Sequence, residues 1–162
     1  MSMESVAAAA GTTVPSLRRR YRSKAELAAA VVDSLRVEEL PAEVAEPREL
    51  ALAVLENFQR NLRRPRAMAT LGSLLAEEHR EPGLLSRFRR RLVRPRRALL
   101  RCALAEGVDV GELPPGLDVD AAVNLLMGSF YGRYISGDPI PRDWARRVLF
   151  IVWPPAPEHK QK

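Results

Sequence analysis

The residues of this chain that could do chemistry are mainly arginines, and they are concentrated in two stretches. The 162 residues include 23 Arg and only 3 Lys, and the net charge is +6. Five cations and no acid lie between Leu17 and Lys24, and eight arginines and no acid lie between Pro82 and Ala105. Because the planar guanidinium group binds phosphate and carboxylate through paired hydrogen bonds, both stretches are candidates for anion recognition. A GC-rich genome would also raise the arginine content, so position is more informative than the overall ratio.

Catalytic and metal-binding chemistry is not indicated. No nucleophile–base pair and no pair of carboxylates stands out, so we expect no enzymatic activity and no cofactor. Cys102 is the only cysteine, which excludes an internal disulfide, and no Cys/His cluster has the spacing of metal ligands. We expect Cys102 to be buried as a small hydrophobic residue, and His79 and His159 to be exposed.

The apolar segments are too short to predict a membrane span. The longest aliphatic and aromatic run, Val148–Trp153, is far below the ~20 residues that cross a bilayer. The start of the chain is rich in alanine, carries Glu4 and does not resemble a secretory leader. We therefore predict a soluble cytoplasmic protein with no membrane partner.

The elements that position the arginines are predicted to be helices, which gives an all-α fold class. Apolar residues recur every three or four positions, and strand-like alternation is almost absent. Pro41–Pro47 is the predicted linker and Gly107–Leu117 a predicted loop. The expected organisation is an N-terminal region at 1–39, a second domain at 40–153 and a disordered tail at 154–162. Helices are predicted at residues 3–10, 13–21, 23–35, 48–61, 65–82, 84–106 with a break at Pro95, 118–136 and 142–152.

The first two predicted helices form the most informative local pattern. Gly11 can adopt the left-handed conformation of a tight turn, and Thr13 can cap the helix that follows. On that second helix, Leu17 and Tyr21 share one side, whereas Arg19 points the opposite way. A short helix with an apolar inner face and an arginine-rich outer face is typical of a helix-turn-helix protein, in which arginines contact guanine or phosphate in the major groove.

The spacing of these residues resembles the DNA-binding signature of the TetR family of bacterial transcriptional regulators. The matching pattern is Val6-Ala7-x-x-Ala10-Gly11-Thr12-Thr13-x-Pro15-Ser16-Leu17-x-x-x-Tyr21-x-Ser23-Lys24-x-x-Leu27. A later part of the chain is similar to one type of TetR-like C-terminal regulatory domain, through Arg94-Pro95-Arg96-Arg97 and Leu125-x-x-Gly128-x-x-Tyr131-x-Arg133-x-x-x-Ser136-Gly137-x-Pro139. The resemblance implies a homodimeric repressor that binds a double-stranded DNA operator through residues 1–39. It also implies release from the operator when 40–153, the regulatory and dimerisation domain, binds a small hydrophobic or amphipathic ligand.

The resemblance also assigns individual DNA contacts. Val14, Pro15 and Ser16 would contact base edges, and Lys24, at the start of the third helix, would contact phosphate. Arg18 and Arg20 would reach bases or phosphates, whereas Arg19 would favour phosphate. The complete predicted set of DNA-contacting residues is Thr13, Val14, Pro15, Ser16, Arg18, Arg19, Arg20 and Lys24.

Two interpretations of the N-terminal region stay open. Thr12 and Arg18 stand where the family usually has Val and Tyr, and the family has a further helix before the first matching position. A start codon placed too late would leave a functional regulator once the helix is restored. The alternative is a truncated paralogue that does not bind DNA and acts as a ligand-binding or dimerisation module.

The apolar residues of the second domain suggest a ligand pocket and a dimer interface. In this family a cavity between the same helices receives the ligand, and Asn57, Asn61 and Asn124 could add polar contacts. The predicted pocket residues are Phe58, Met68, Leu71, Leu75, Phe88, Leu92, Met127, Phe130 and Tyr131. The last two helices are apolar on more than one face, which suggests a four-helix dimer interface; the alternative is that they close the monomer core. The predicted interface residues are Val123, Met127, Phe130, Tyr134, Trp144, Val148 and Ile151.

The second arginine stretch has a simpler interpretation than DNA binding. Three of its arginines lie along one helical strip, and acidic residues are close in sequence. We expect a solvated face whose cations pair with acids such as Glu77, Glu78 and Glu81, with phosphate binding as the alternative.

Overall fold

The computed structural model describes residues 2–35, 37–39, 44 and 46–155, and the regular elements in this part of the chain are all helices. The predicted all-α fold class is therefore confirmed. Most of the predicted linker and the tail from residue 156 onward lie outside the described residues. The helices are α1 (Met3–Ala9), α2 (Val14–Arg20), α3 (Lys24–Ser34), α4 (Pro47–Leu62), α5 (Ala67–Ala76), α6 (Pro82–Phe88), α7 (Arg94–Asp109), α8 (Val119–Ile135) and α9 (Trp144–Val152), with a π-helical turn at Arg89–Val93 between α6 and α7.

Local side-chain caps determine where the first two helices begin. The Ser2 hydroxyl accepts a hydrogen bond from the Ser5 N–H at 3.1 Å, and the Thr13 hydroxyl accepts one from the Ser16 N–H at 3.3 Å. Between the two helices Gly11 has φ +61°, the left-handed conformation that glycine adopts at little cost. The predicted turn and the predicted Thr13 cap are both confirmed.

Ser23-Lys24-Ala25-Glu26 has the sequence pattern of a capping box at the start of α3, and the box forms only in part. The Ser23 hydroxyl accepts a hydrogen bond from the Glu26 N–H at 3.1 Å, as the pattern predicts. The Glu26 carboxylate, however, accepts from the N–H of Arg22 at 2.7 Å. The second hydrogen bond of the box is thus displaced by one residue, and Glu26 secures the residue before the cap.

At the predicted helix end near Pro82 and the predicted break at Pro95, the proline lies in the first turn of the next helix. Pro82 opens α6, and the chain between Ala76 and Pro82 forms turns. Pro95 lies in the first turn of α7, where a missing N–H has no intrahelical partner to lose. The predicted break at Pro95 is therefore realised just before it, as the π-helical turn.

The described residues divide into two compact units. The first unit comprises Met1–Val37 and Ala69–Arg91, and the second comprises Glu38–Met68 and Leu92–Lys162. The predicted boundary after residue 39 lies close to the point between Val37 and Glu38 where the chain passes from the first unit to the second. The predicted second domain, however, includes Ala69–Arg91, which groups with the N-terminal residues. The physical reason is a small apolar cluster that joins α3, α5 and α6, formed by Val32, Leu74, Leu84 and Leu85.

The second unit has the larger core, built from α4, α7, α8 and α9. Its most deeply buried large side chains include Trp144, Trp153 and Phe130. Gly107, which the prediction placed in a loop, lies inside α7 because that helix continues to Asp109. The Trp153 ring packs directly on Gly107, and a methyl group at that position would overlap the ring. Only glycine fits there without movement of the tryptophan.

Candidate nucleic-acid interface and regulatory core

Helix α2 presents two chemically different faces. Leu17 is buried with Ala7 of α1 and Leu27 of α3, and Val14 and Tyr21 pack partly buried against the same cluster. The guanidinium-bearing residues Arg18, Arg19 and Arg20 are exposed, as is Pro15. The apolar residues therefore hold α2 against α1 and α3, while the three arginines are available to an external anion.

The polar residues at the start of α2 are already hydrogen-bonded to one another. Besides capping the helix, the Thr13 hydroxyl donates to the Ser16 hydroxyl oxygen at 3.1 Å. Thr13 is exposed and Ser16 is half-buried. Among the predicted base-contacting residues, Val14 packs partly buried against the cluster of Ala7, Leu17 and Leu27. Only the outer part of the Val14 side chain is therefore accessible to a base.

Lys24, the predicted phosphate contact, has a carboxylate neighbour in the structure. Its ammonium nitrogen lies 3.6 Å from Glu77 Oε1, in the turn after α5, and both side chains are partly exposed. Exposed ion pairs of this kind are weak because water screens both charges. A phosphate could displace the glutamate, but Glu77 lowers the positive potential at this end of α3.

The second arginine stretch begins with a two-point ion pair within the first unit. Arg87 of α6 donates from Nε and Nη2 to the two carboxylate oxygens of Asp33, both at 2.7 Å. These hydrogen bonds, followed by the charges of Arg87 and Arg91, hold the pKa of Asp33 below its ordinary value. Arg87 therefore has a structural partner on α3.

The next two arginines with identified partners are also bound internally. Arg89 pairs with Glu78 at 3.0 Å, which is one of the predicted acidic neighbours. Arg91 donates to the backbone carbonyl oxygens of Val32 and Leu35, the latter at 3.3 Å. The Arg91 contacts fasten the π-helical turn to the end of α3, and the Arg89 pair fastens it to the turn after α5. Both agree with the structural interpretation of this stretch.

A polar network in the second unit was not predicted from the sequence. Arg96 is only 6% exposed, and it donates to Asn57 Oδ1 at 3.1 Å, Leu92 O at 2.8 Å and Glu38 O at 3.2 Å. Burial lowers the pKa of Arg96, and the charge of Glu38 opposes that shift. The Asn57 amide donates to Glu39 O at 2.6 Å, so this predicted pocket residue instead holds the entering chain against α4 and α7.

Four aromatic rings of the second unit form a closely packed cluster. The Phe58 centroid lies 5.6 Å from that of Phe130, 5.8 Å from that of Tyr131 and 6.0 Å from that of Trp144. The rings of Phe130 and Trp144 meet edge to face at 5.3 Å. Burial raises the pKa of the Tyr131 hydroxyl, and the positive charge of Arg97 acts in the opposite direction.

The structure brings together only some of the predicted pocket residues. Phe58, Met68, Met127, Phe130 and Tyr131 all belong to or pack against the core of the second unit. Leu92, also in the second unit, is buried but lies outside that cluster. The other three belong to the first unit: Leu71 is half-buried, Leu75 is 49% exposed and Phe88 packs on the Val32 cluster.

The predicted dimer surface needs correction. Val123, Met127, Phe130 and Trp144 are at most 5% exposed in the single chain, so they are core residues and that part of the prediction is wrong. Val148 is half-buried, whereas Tyr134 and Ile151 are 51% and 80% exposed. The apolar residues that sequence reasoning missed are Leu125 and Phe150, which are 69% and 58% exposed, and Ile135, an apolar residue near the end of α8, is 82% exposed.

The exposed residues of α8 follow a helical period. Leu125, Gly128, Gly132 and Ile135 are spaced by three or four positions and all are exposed, so they lie along one face of α8. Because α8 also has apolar residues on its inner face, the sequence alone could not assign the outer one. Cys102 is exposed as well, which corrects the expectation that it is buried, and His79 is exposed as predicted.

No group of three or more His, Cys, Asp and Glu side chains is placed to hold a metal ion within the part of the chain that the structure describes. In the same residues, every helix is too short or too polar to cross a lipid bilayer.

Comparison with known proteins identifies the family. Residues 46–152 match the family model of the tetracyclin repressor-like C-terminal domain. Uncharacterized HTH-type transcriptional regulators of Mycobacterium tuberculosis and Mycobacterium bovis are 29% identical to this chain over 136 residues, which is 83% of this chain and 66% of theirs. The chain thus spans slightly less than two thirds of the length of these curated relatives.

A solved structure has the same fold. The crystal structure of the TetR family transcription regulator SCO0332 superposes with a TM-score of 0.58 at 24% identity, covering 92% of this chain and 83% of that one. The helical fold and the matched domain define a TetR-like regulator. The chain belongs to the TetR family of transcriptional regulators.

Proposed function

We propose that this chain is a DNA-binding transcriptional regulator, and specifically a repressor that leaves its operator when a small molecule binds. The observation that carries the proposal is the orientation of α2. Leu17 packs inward while Arg18, Arg19 and Arg20 are exposed on a helix whose start is capped by Thr13. An arginine can bind guanine O6 and N7 with both arms of its guanidinium group, so this outer face has the chemistry to read a major groove.

Phosphate contacts would set the position of α2 on the duplex. Lys24 lies at the first residue of α3, where the partial positive charge of the helix N-terminus adds to the ammonium group. Such contacts give affinity without sequence information, whereas the arginines and Ser16 would give specificity. Both kinds of contact are supplied by the first unit.

A homodimer is proposed from the outer face of α8 and α9. Leu125, Ile135, Phe150 and Ile151 are 69%, 82%, 58% and 80% exposed, and large exposed apolar side chains that lie together are typical of an interaction site. Gly128 and Gly132 let a second helix approach α8 closely. A two-fold dimer would present two copies of α2 to the two half-sites of a palindromic operator.

The aromatic cluster of the second unit is the proposed ligand site. Its walls are apolar, and Met68 and Met127 can adapt their shape to a guest because methionine is flexible and polarizable. A small hydrophobic or amphipathic ligand fits this chemistry. Its binding would favour one arrangement of the regulator over another only if its affinity for the two arrangements differs.

Selection from a random duplex library tests DNA binding directly. We expect the purified protein to enrich a two-fold symmetric site, and Arg19→Ala to weaken binding to it. Arg142→Ala, an exposed cation of the second unit, is the control and should have little effect. Because the curated relatives are longer, the same selection should be run on a form extended by the in-frame codons upstream of Met1. If neither form enriches a sequence, the proposed operator binding is wrong.

A second function is favoured by the Lys24–Glu77 ion pair, which occupies a proposed phosphate contact. A regulator paralogue that does not bind DNA could bind the ligand or pair with full-length partners. Binding of ligand and formation of a dimer, without any DNA enrichment, would support this function instead.

A further inference from the structure

The Trp144 indole N–H is a buried hydrogen-bond donor without an acceptor. Its nitrogen is the one fully buried side-chain N or O atom in the described residues that has no hydrogen-bond partner, and Trp144 as a whole is only 1% exposed. Leaving a buried donor unpaired is costly, and native proteins rarely do so without a reason. The position of this donor, within the aromatic cluster, suggests what that reason is.

The backbone around Trp144 is held in place by a second buried polar residue. Gln59 of α4, which is 4% exposed, donates from Nε2 to the carbonyl oxygen of Pro141 at 2.7 Å. The backbone N–H of Trp144 donates to the same carbonyl oxygen at 3.2 Å. Gln59 is thus a positioning residue that secures the start of α9 and, with it, the indole ring. The ring is further fixed by its contacts with Phe58 and Phe130.

Nothing buried nearby offers a counter-charge to a charged ligand. The buried polar residues among those described are Asn57, Gln59 and Arg96. All three nitrogens of Arg96 are hydrogen-bonded within the protein, and the amides of Asn57 and Gln59 donate to backbone carbonyls. The fully buried side chains thus offer no free charge to a guest among the rings, and Arg97, the half-buried cation whose charge acts on Tyr131, donates to Asn124 Oδ1 at 2.7 Å.

We propose that Trp144 is the specificity-determining residue of the ligand site, and that the site takes a neutral, flat, apolar molecule with one hydrogen-bond acceptor, such as a ketone oxygen, which binds the indole N–H. Four of the five ring pairs pack edge to face, and a flat guest can replace one of these ring contacts with a contact of its own. Met68 and Tyr131, both partly buried, are the side chains that can move to admit it. This inference rests on the proposed ligand-responsive function, but it does not depend on DNA binding.

A matched pair of probes tests the acceptor requirement. 1-Indanone and indane have nearly the same shape, and only the ketone has an acceptor. Calorimetric titration of the full chain should show the ketone binding about threefold to tenfold more tightly, the gain expected from one net hydrogen bond. In a 15N-labelled sample, the Trp144 indole resonance should shift downfield with the ketone and not with the hydrocarbon. The chain has only two tryptophans, so Trp144→Phe assigns that resonance.

Two variants separate the N–H from the surrounding rings. Trp144→Phe should retain indane binding and lose the preference for the ketone, with circular dichroism confirming that it is folded. Trp153→Phe removes the chain's other indole, which packs on Gly107 outside the four-ring cluster, and should keep the preference. The proposal is overturned if neither probe binds, if wild type binds both equally, or if the preference survives in Trp144→Phe or disappears in a folded Trp153→Phe. Operator binding is absent from every readout, so a failed repressor hypothesis would not be confused with a failed ligand site.

Discussion

Arg87 and Asp33 are joined by two hydrogen bonds of 2.7 Å, and this pair connects α6 to the third helix of the N-terminal unit. The connection runs beside the apolar cluster of Val32, Leu84 and Leu85. Residues that lie more than fifty positions apart in sequence are therefore held together by both charge and apolar contact. The consequence is that the segment from Ala69 to Arg91 belongs structurally with the helix-turn-helix.

The Arg87–Asp33 pair predicts a pH dependence of stability. The pKa of Asp33 is lowered in the folded protein, chiefly by the hydrogen bond from Arg87, so its contribution is present above the unfolded pKa near 3.8. It is lost as the pH falls through the lower, folded-state value. Asp33→Asn should therefore lower Tm slightly at pH 7 and leave it unchanged near pH 2. A constant difference across that range, measured by scanning calorimetry, would contradict this account.

Glu77 is predicted to weaken DNA binding through Lys24. Glu77→Gln should strengthen binding about twofold to fivefold at low salt, because it frees a phosphate-contacting ammonium group from an exposed ion pair. Glu78→Gln removes the same charge from a residue that pairs with Arg89, and it serves as the matched control. Fluorescence anisotropy should show a larger gain in DNA affinity for Glu77→Gln than for Glu78→Gln. In a protein that also carries Lys24→Ala, Glu77→Gln should no longer increase the affinity. Equal effects of the two substitutions would indicate general charge repulsion instead.

Phosphate and base contacts should be distinguishable by their salt and sequence dependence. Lys24→Ala should weaken binding about equally on all duplexes and reduce the salt slope by about one. Arg20→Ala should cost on the order of 1–3 kcal/mol at particular base pairs and relax specificity there. Titrations on the selected site and on single-base variants measure both effects. Uniform loss across all variants for Arg20→Ala would assign that residue to the phosphates.

The exposed face of α8 is predicted to be the dimer interface. Leu125→Glu should weaken the dimer at least about tenfold, because the carboxylate would be desolvated against a second apolar helix. Val110→Glu is the control, since Val110 is a 59% exposed apolar residue outside the Leu125–Ile135 face. Light scattering over a concentration series should show dissociation to monomer for Leu125→Glu and not for Val110→Glu. A dimer that tolerates Leu125→Glu would locate the interface elsewhere.

Gly107 and Gly72 should respond oppositely to alanine. Gly107→Ala places a methyl group against the Trp153 ring and should destabilise the fold by about 1–3 kcal/mol or more. Gly72 lies in α5 with open space around it, so Gly72→Ala should stabilise by about 0.4–1 kcal/mol through reduced freedom of the unfolded chain. Urea denaturation measures both changes. Similar changes in the two variants would show that the Trp153 contact is not tightly packed.

The helical class and the caps and turns of the N-terminal region could be predicted from local sequence, because they depend on near neighbours. A hydroxyl at Thr13 caps the next turn, and Gly11 reverses the chain, whatever lies farther away. The face of α2 was also readable, since its apolar residues fall on one side. The family signature followed from the same local spacing.

Which face of α8 is inner, and which polar residues are buried, depends on tertiary packing. Helix α8 is apolar on more than one face, so its period is compatible with either orientation, and packing against α4, α7 and α9 selected Val123 and Phe130 as core. The burial of Arg96 and the unpaired indole N–H of Trp144 likewise depend on residues distant in sequence. Those contacts form only when separate helices meet, and no spacing within one helix records them.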